Sequence, residues 1–376
     1  MKKRFLVLVF LVVYCLTALP GCKKNNSEQF VCSGSYTGDY WPTSGWRTCT
    51  PEEVGMNSKR LSKIYNYAAN PNINTYGLVI IKKGYIVGEA YFQGFSSDSR
   101  FRSYSVAKSF LSSLFGIAID QMLIESVDEK ASKYLTEWAS AEHEEEKRQM
   151  TVRDLLTMSS GLEWNEQDYY NDTSKNDAFI MDSTPDFIQY VLAKPSIHEP
   201  GTQWHYSSGD SMLLSGILER AVNKTAFQFA QEHLLKPMGV EEITWESDPA
   251  GHTIGGWGIR TTVRDYAKFG YLYLKKGEWD GQQVVPRQWV EASTSPARDN
   301  VAWYGFQWWL APVWSALRSS IVPHDTFLAW GIYTQQIYVL PSKDIVIVRV
   351  GNDANPSNDE WRELEFLTLV LESLEE

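Results

Sequence analysis

The sequence predicts an α/β fold of the α+β kind: an antiparallel sheet flanked by terminal helices, with an all-helical domain inserted between its strands. Three observations carry this. Residues 76–81 and 85–92 are apolar, β-rich runs joined at Lys82-Lys83-Gly84, a hairpin pattern. From Ser105 to about Gly239, apolar residues recur at helical spacing almost throughout. Strand patterns then return at residues 305–310, 327–330, 334–340 and 344–350, and residues 359–374 close the chain as a helix. Strands split around a helical block give two domains with a cleft between them, where a site would lie.

Each element has its own signal. Thr50, Pro51 and Glu53 make a capping-box pattern that leads into a helix through Leu61, Ile64 and Tyr65. Phe110-Leu111-Ser112-Ser113-Leu114-Phe115-Gly116-Ile117-Ala118-Ile119 has the length and spacing of a buried helix. Residues 151–162 read as a short helix with a threonine cap and a glycine stop. The polar and aromatic loop after it holds Trp164, Tyr169 and Tyr170, content that suits a pocket wall. Helices follow at 184–193, 211–222 and 226–235, with Tyr206-Ser207-Ser208 on the loop before the second. After Gly255-Gly256-Trp257-Gly258 come helices at 261–275 and 286–293, and Pro341-Ser342-Lys343-Asp344 is a turn between the last two strands.

The N-terminus carries an address. Met1-Lys2-Lys3-Arg4 is basic, and residues 5–19 form an apolar run too short for a comfortable membrane span and right for a signal peptide. Leu19-Pro20-Gly21-Cys22 resembles a bacterial lipobox, in which Cys22 becomes the lipidated first residue. The division read from the chain is therefore a signal peptide at 1–21 and a lipid-anchor tether and arm at 22–50. A sheet domain at 51–101 plus 251–376 and a helical domain at 102–250 carrying Ser105 and Tyr206 complete it. The expected location is the bacterial cell envelope, exported, with membrane contact only through the anchor. Of four cysteines, Cys32 and Cys49 remain in the body, and an oxidising compartment predicts their pairing.

Composition narrows the function. The net charge of −11 and the lack of a basic stripe argue against nucleic acid. The six histidines are scattered and form no H-E-x-x-H, so no metal site is expected. The 15 tryptophans and 20 tyrosines fit a ring-lined pocket or an aromatic core equally well.

The chemistry gathers at Ser105 and Lys108. Residues three apart share a helix face, so the lysine would stand one turn above the serine hydroxyl. A desolvated amine beside a serine acts as its base. Ser-x-x-Lys is a short pattern that occurs by chance, but here it opens an apolar helix, and a buried lysine is costly unless it has a role. Tyr206 beside such a pair could relay protons, although a tyrosine alone more often packs in a core.

Taken in order, four segments identify a resemblance. They are Ser105-Val106-Ala107-Lys108-Ser109-Phe110, residues 151–162 from Thr151 to Leu162, Pro200-Gly201 to Tyr206-Ser207-Ser208, and Ala329-Trp330-Gly331-Ile332 to Gln335. Together they resemble the serine β-lactamase-related hydrolase superfamily, which includes penicillin-binding proteins, class C β-lactamases, esterases and amidases. The arm Trp41-Pro42-Thr43-Ser44-Gly45-Trp46-Arg47-Thr48 and Ala329-Trp330-Gly331-Ile332 resemble its 6-aminohexanoate-dimer-hydrolase-like branch. The resemblance spans about residues 39–352 and implies a β-lactamase/transpeptidase-like fold. It implies Ser105 as the acylated nucleophile, with Lys108 and Tyr206 as proton-transfer partners. The backbone amides of Ser105 and Ile332 would form the oxyanion hole.

Two departures stand out. The second motif ends in Ser208 where β-lactamases carry Asn, and Ala329 and Trp330 precede Gly331 where they carry Lys or His. The missing cation weighs against a carboxylate-bearing β-lactam or peptide. Trp330, Gly331 and Ser208 with Trp164 and Tyr170 would instead line a site for an apolar acyl or amide chain. The leading reading is a secreted serine hydrolase that cleaves an ester or amide through an acyl-enzyme and needs no cofactor. A D,D-peptidase or penicillin-binding protein acting on cell-wall peptides, and a non-catalytic binding protein on the same fold, are the alternatives. Neither the first base, Lys108 or Tyr206, nor the oligomeric state follows from the sequence.

Overall fold

The computed structural model describes residues 30–139, 145–166, 173–311, 321–352 and 361–375. Its centre is a six-stranded antiparallel sheet of β1 (Thr75–Lys82), β2 (Tyr85–Tyr91), β3 (Trp309–Leu310), β4 (Phe327–Gly331), β5 (Gln335–Leu340) and β6 (Ile345–Gly351). The spatial order is β2-β1-β6-β5-β4-β3. The two ends of the chain therefore meet inside the sheet, with Val79 opposite Val348 and Ile80 opposite Ile347. Lys83 and Gly84 form the expected hairpin turn, both with positive φ (49° and 81°), the turn that matches strand twist.

The longer helices among the described residues are α1 (Ser58–Ala68), α2 (Ala107–Asp120), α3 (Ser208–Val222), α4 (Val263–Leu274) and α5 (Glu363–Glu372). Side chains alternate along each strand, so the sheet has two apolar faces. Leu78, Ile80, Tyr338, Leu340, Ile345 and Ile347 meet Leu61 and Ile64 of α1 and Phe366, Leu367 and Val370 of α5. Val79, Ile81, Ile337, Val339, Val346 and Val348 meet α4 and the helical block. Each fully buried side chain of this size contributes roughly 1.5–3 kcal/mol. Gly270 lets α4 lie flat on the sheet, because a Cβ there would stand 2.6 Å from Val346.

Helix α2 runs through the middle of the helical block and is buried nearly all round. Phe110 stacks on Phe269 of α4 with ring centroids 3.6 Å apart, and Gly116 takes the indole of Trp289 against its backbone. The serine-bearing end of α2 is thus fixed against the sheet side of the molecule.

Two expectations are corrected. The strand expected at 305–310 is only Trp309–Leu310, because Gln307 takes φ of 61° and bonds to the helical block instead. Its amide and side chain donate to the Leu155 and Leu156 carbonyls, and its side-chain oxygen accepts from Ser211. The Cys32–Cys49 disulfide is not formed. The two cysteines flank β2 but face opposite ways, Cys32 among Val79 and Ile81 and Cys49 among Leu78, Ile80 and Val87. The sheet separates them. Cys49 is a free, buried thiol whose pKa burial pushes up to about 12. Cys22, the signal segment and Tyr170 lie outside the described residues. No helix among the described residues is long and apolar enough to cross a membrane.

Candidate active site

Ser105 sits in a single tight turn, Tyr104–Val106, that runs directly into α2. The chain arrives from the short strand Phe101–Arg102, where the Ser103 amide donates to the Ile259 carbonyl at 2.8 Å. It must reverse within a residue, and Tyr104 does so at φ of 45°, a left-handed conformation that is costly for an aromatic residue. Its ring packs edge-on against Tyr333, with centroids 4.9 Å apart. Amides in the first turn have no intrahelical acceptor, and the Ser105 N–H is one of them.

Lys108 follows one turn on and is 1% exposed. Its Nζ lies 3.0 Å from Ser105 Oγ, 2.9 Å from Ser208 Oγ and 3.0 Å from the Gly256 carbonyl oxygen. Burial pulls its pKa down to about 8, against the opposing pull of the Glu166 carboxylate. A useful fraction of the amine is therefore neutral near pH 7. Gly256 belongs to the glycine-rich stretch after the helical block, and a Cβ there would stand 3.2 Å from that of Ser208.

Tyr206 precedes α3, whose first residue is Ser208 rather than the Ser211 expected from the sequence. Bonds to Met158 fix the segment: the His205 amide donates to its carbonyl at 2.8 Å and the Ser207 amide to its sulfur at 3.3 Å. Met158 can offer both because it leaves its short helix, Val152–Leu156, at φ of 56°. The Tyr206 ring is 5.0 Å from Lys108 Nζ and stacks on Trp309 at 5.8 Å. Burial and Glu166 raise its phenol pKa, and contact with the Ser105 hydroxyl lowers it, so the phenol keeps its proton at neutral pH.

Gly331 closes the ring of groups. It ends β4 alongside the Ser105 turn, and a Cβ on it would lie 2.5 Å from the Ser103 carbonyl and 3.1 Å from the Ser105 nitrogen. Ile332 follows, and Tyr333 and Thr334 turn back with φ of 61° and 57°. Trp330 is half-buried and meets Trp309 edge-on at 5.4 Å, and Trp309 also meets Trp204. Partly buried tryptophans thus continue the ring cluster from Tyr206.

The structure adds a residue that the sequence reading missed. Glu166 accepts from the Ser208 amide at 2.7 Å, the Ser208 hydroxyl at 2.6 Å and the Trp164 indole N–H at 2.8 Å. Trp164 itself is 5% exposed and packs its ring against Gly209 of α3 while its indole N–H holds Glu166. The signal for Glu166 was its place in the loop after Gly161, two residues from Trp164.

Comparisons with known proteins place the whole chain. The family described as Beta-lactamase matches residues 63–370. The chain belongs to the beta-lactamase family and is a serine hydrolase of that family. It is 24% identical to the 6-aminohexanoate-dimer hydrolase of Paenarthrobacter ureafaciens over 313 residues, covering 77% of this chain and 76% of that one. A solved candidate 6-aminohexanoate-dimer hydrolase from Bacillus anthracis superposes with a TM-score of 0.69 at 19% identity, covering 94% of this chain and 89% of its own. The hydrolase EstCE1, described as having promiscuous acyltransferase activity, superposes with a TM-score of 0.67 at 14% identity, covering 83% and 98%. At these identities the solved structures speak for the fold.

Proposed function

We propose that the protein hydrolyses a neutral, apolar ester or amide through an acyl-enzyme on Ser105. The Lys108–Tyr206 pair removes the Ser105 proton and delivers it to the leaving group. The Ser105 oxygen attacks the substrate carbonyl carbon, and the amides of Ser105 and Ile332 hold the oxyanion that forms. Water then attacks the acyl-enzyme and frees the acid. The observation that carries this reading is the buried Lys108 amine, 3.0 Å from the Ser105 hydroxyl. Ala329 and Trp330 stand where carboxylate-binding relatives offer a cation, and Trp309 and Trp330 line that side with rings. Both features favour an apolar chain over a charged one. The likeness to a 6-aminohexanoate-dimer hydrolase supports an amide among the substrates.

Intact-mass labelling with a fluorophosphonate tests the reading. One adduct is expected on the wild type and none on Ser105→Ala or Lys108→Ala. An adduct that persists on Ser105→Ala would sink it. A fluorescent penicillin is expected not to label the protein; labelling lost in Ser105→Ala would move the function to cell-wall peptides. Export and anchoring at Cys22 complete the proposal, supported by the basic and apolar N-terminus and the lipobox-like Leu19-Pro20-Gly21-Cys22. Incorporation of radiolabelled palmitate that is unchanged in Cys22→Ala would overturn the anchor.

A further inference from the structure

Three acceptors surround Lys108 Nζ, and they differ in what they can give back. The Gly256 carbonyl only accepts. The Ser208 hydroxyl has one hydrogen, and Glu166 takes it at 2.6 Å. Towards Lys108, at 2.9 Å, Ser208 is therefore also an acceptor. An ammonium satisfies all three sites with its three hydrogens. A neutral amine has two hydrogens and one lone pair. Its hydrogens must go to Gly256 and Ser208, and its lone pair is left for the Ser105 hydroxyl, the one group of the three that still has a hydrogen to donate.

We infer that Glu166 is a positioning residue: by claiming the hydrogen of Ser208, it turns the lone pair of neutral Lys108 onto Ser105 and makes Lys108 the first base. This rests on Ser105 being the nucleophile. The Glu166 carboxylate is itself held, because the Ser208 amide and the Trp164 indole both donate to its other oxygen. Atoms balance in the step: the Ser105 proton passes to Lys108, the Oγ–carbonyl carbon bond forms, and the carbonyl π pair moves to the oxygen. Tyr206 keeps its own proton at this stage and is placed to donate it to the leaving group, with Lys108 restoring it.

The test is Glu166→Gln. With two N–H donors fixed at one oxygen position, the carboxamide must place its carbonyl there and its NH2 towards Ser208 Oγ. Ser208 then accepts from Gln and turns its own hydrogen onto the Lys108 lone pair. The expected result is a fall of roughly 100-fold in kcat and in fluorophosphonate labelling rate, with KM within about twofold. The titratable groups beside Lys108 are Glu166 and Tyr206, and Tyr206 is uncharged. Removing the carboxylate charge should therefore also move the midpoint of the labelling pH profile below the wild-type value. Glu166→Asp, which keeps the charge and both acceptors, should regain part of the rate. In a Ser208→Ala background, Glu166→Gln should cost little further, because its route to Lys108 is gone. Wild-type rates in Glu166→Gln, or losses that multiply in the double variant, would overturn the inference. An unchanged thermal midpoint in Glu166→Gln identifies a lost rate as a change at the site and not of the fold. Labelling that survives Ser105→Ala would instead refute the underlying function.

Discussion

The backbone of Gly331 and the amide of Ser105 lie so close that a methyl group on Gly331 would stand 3.1 Å from the Ser105 nitrogen. The same methyl would come within 2.5 Å of the Ser103 carbonyl, a backbone atom that cannot swing aside. The strand end that carries Ile332 and the turn that carries Ser105 are therefore set apart by the width of a glycine. Gly331→Ala should wedge them open and separate the two proposed oxyanion donors. The expected outcome is a loss of about 100- to 1000-fold in kcat, the cost of one such donor, with circular dichroism unchanged. A variant within threefold of wild type would place the oxyanion elsewhere.

The pH dependence follows from Lys108. Burial lowers its pKa to about 8, and only the neutral amine can accept the Ser105 proton. Below that value the reactive fraction falls tenfold per pH unit. The fluorophosphonate labelling rate should thus rise about tenfold from pH 6 to pH 7 and level off above about pH 8. Tyr206 adds no descending limb there, since its phenol pKa lies above the ordinary value of 10.0. A bell-shaped profile peaking below pH 8 would mean that another group titrates in the step.

Tyr206→Phe separates packing from chemistry. The ring stays stacked on Trp309 and beside Lys108, so the thermal midpoint should shift by no more than a degree or two. The hydroxyl proposed to return a proton to the leaving group is lost, and kcat should fall by 100- to 10,000-fold. The loss should be smaller for an ester with a good leaving group, such as a nitrophenyl ester, than for an amide. Equal losses on both would take proton donation away from Tyr206.

Much of the site was legible because its parts are local. The three-residue spacing of Ser105 and Lys108, the Tyr206 segment and the Gly331 strand end each show in a few adjacent letters. The sheet was legible through alternation, as in Ile337 to Leu340 and Ile345 to Val350. What escaped depends on tertiary partners. Glu166 matters only because α3 brings Ser208 against it, and Gly256 only because its carbonyl meets Lys108. Gln307 sits in a strand-like run, but bonds to Leu156 and Ser211 outweigh the ladder. Cys32 and Cys49 read as a pair by compartment and count, yet the parity of the chain beside β2 puts them on opposite faces.

Asp210 supplies a prediction about stability. It lies on the first turn of α3, fully buried, and burial pushes its carboxyl pKa up to about 7 from an ordinary 3.8, against the weaker opposing influence of the neighbouring Ser160 and Ser207. The folded state thus holds this proton more tightly than the unfolded chain. Its contribution is fully present below about pH 4 and is lost as pH rises through about 7. The difference corresponds to roughly 4 kcal/mol at pH 8. Asparagine has the same shape and no charge to bury, so Asp210→Asn removes that slope. Urea unfolding should find the variant close to wild type at pH 4.5 and more stable at pH 8. Comparing the two proteins at each pH cancels the other titrating groups. A variant less stable than wild type at pH 8 would show instead that Asp210 is ionised and stabilising in the folded protein.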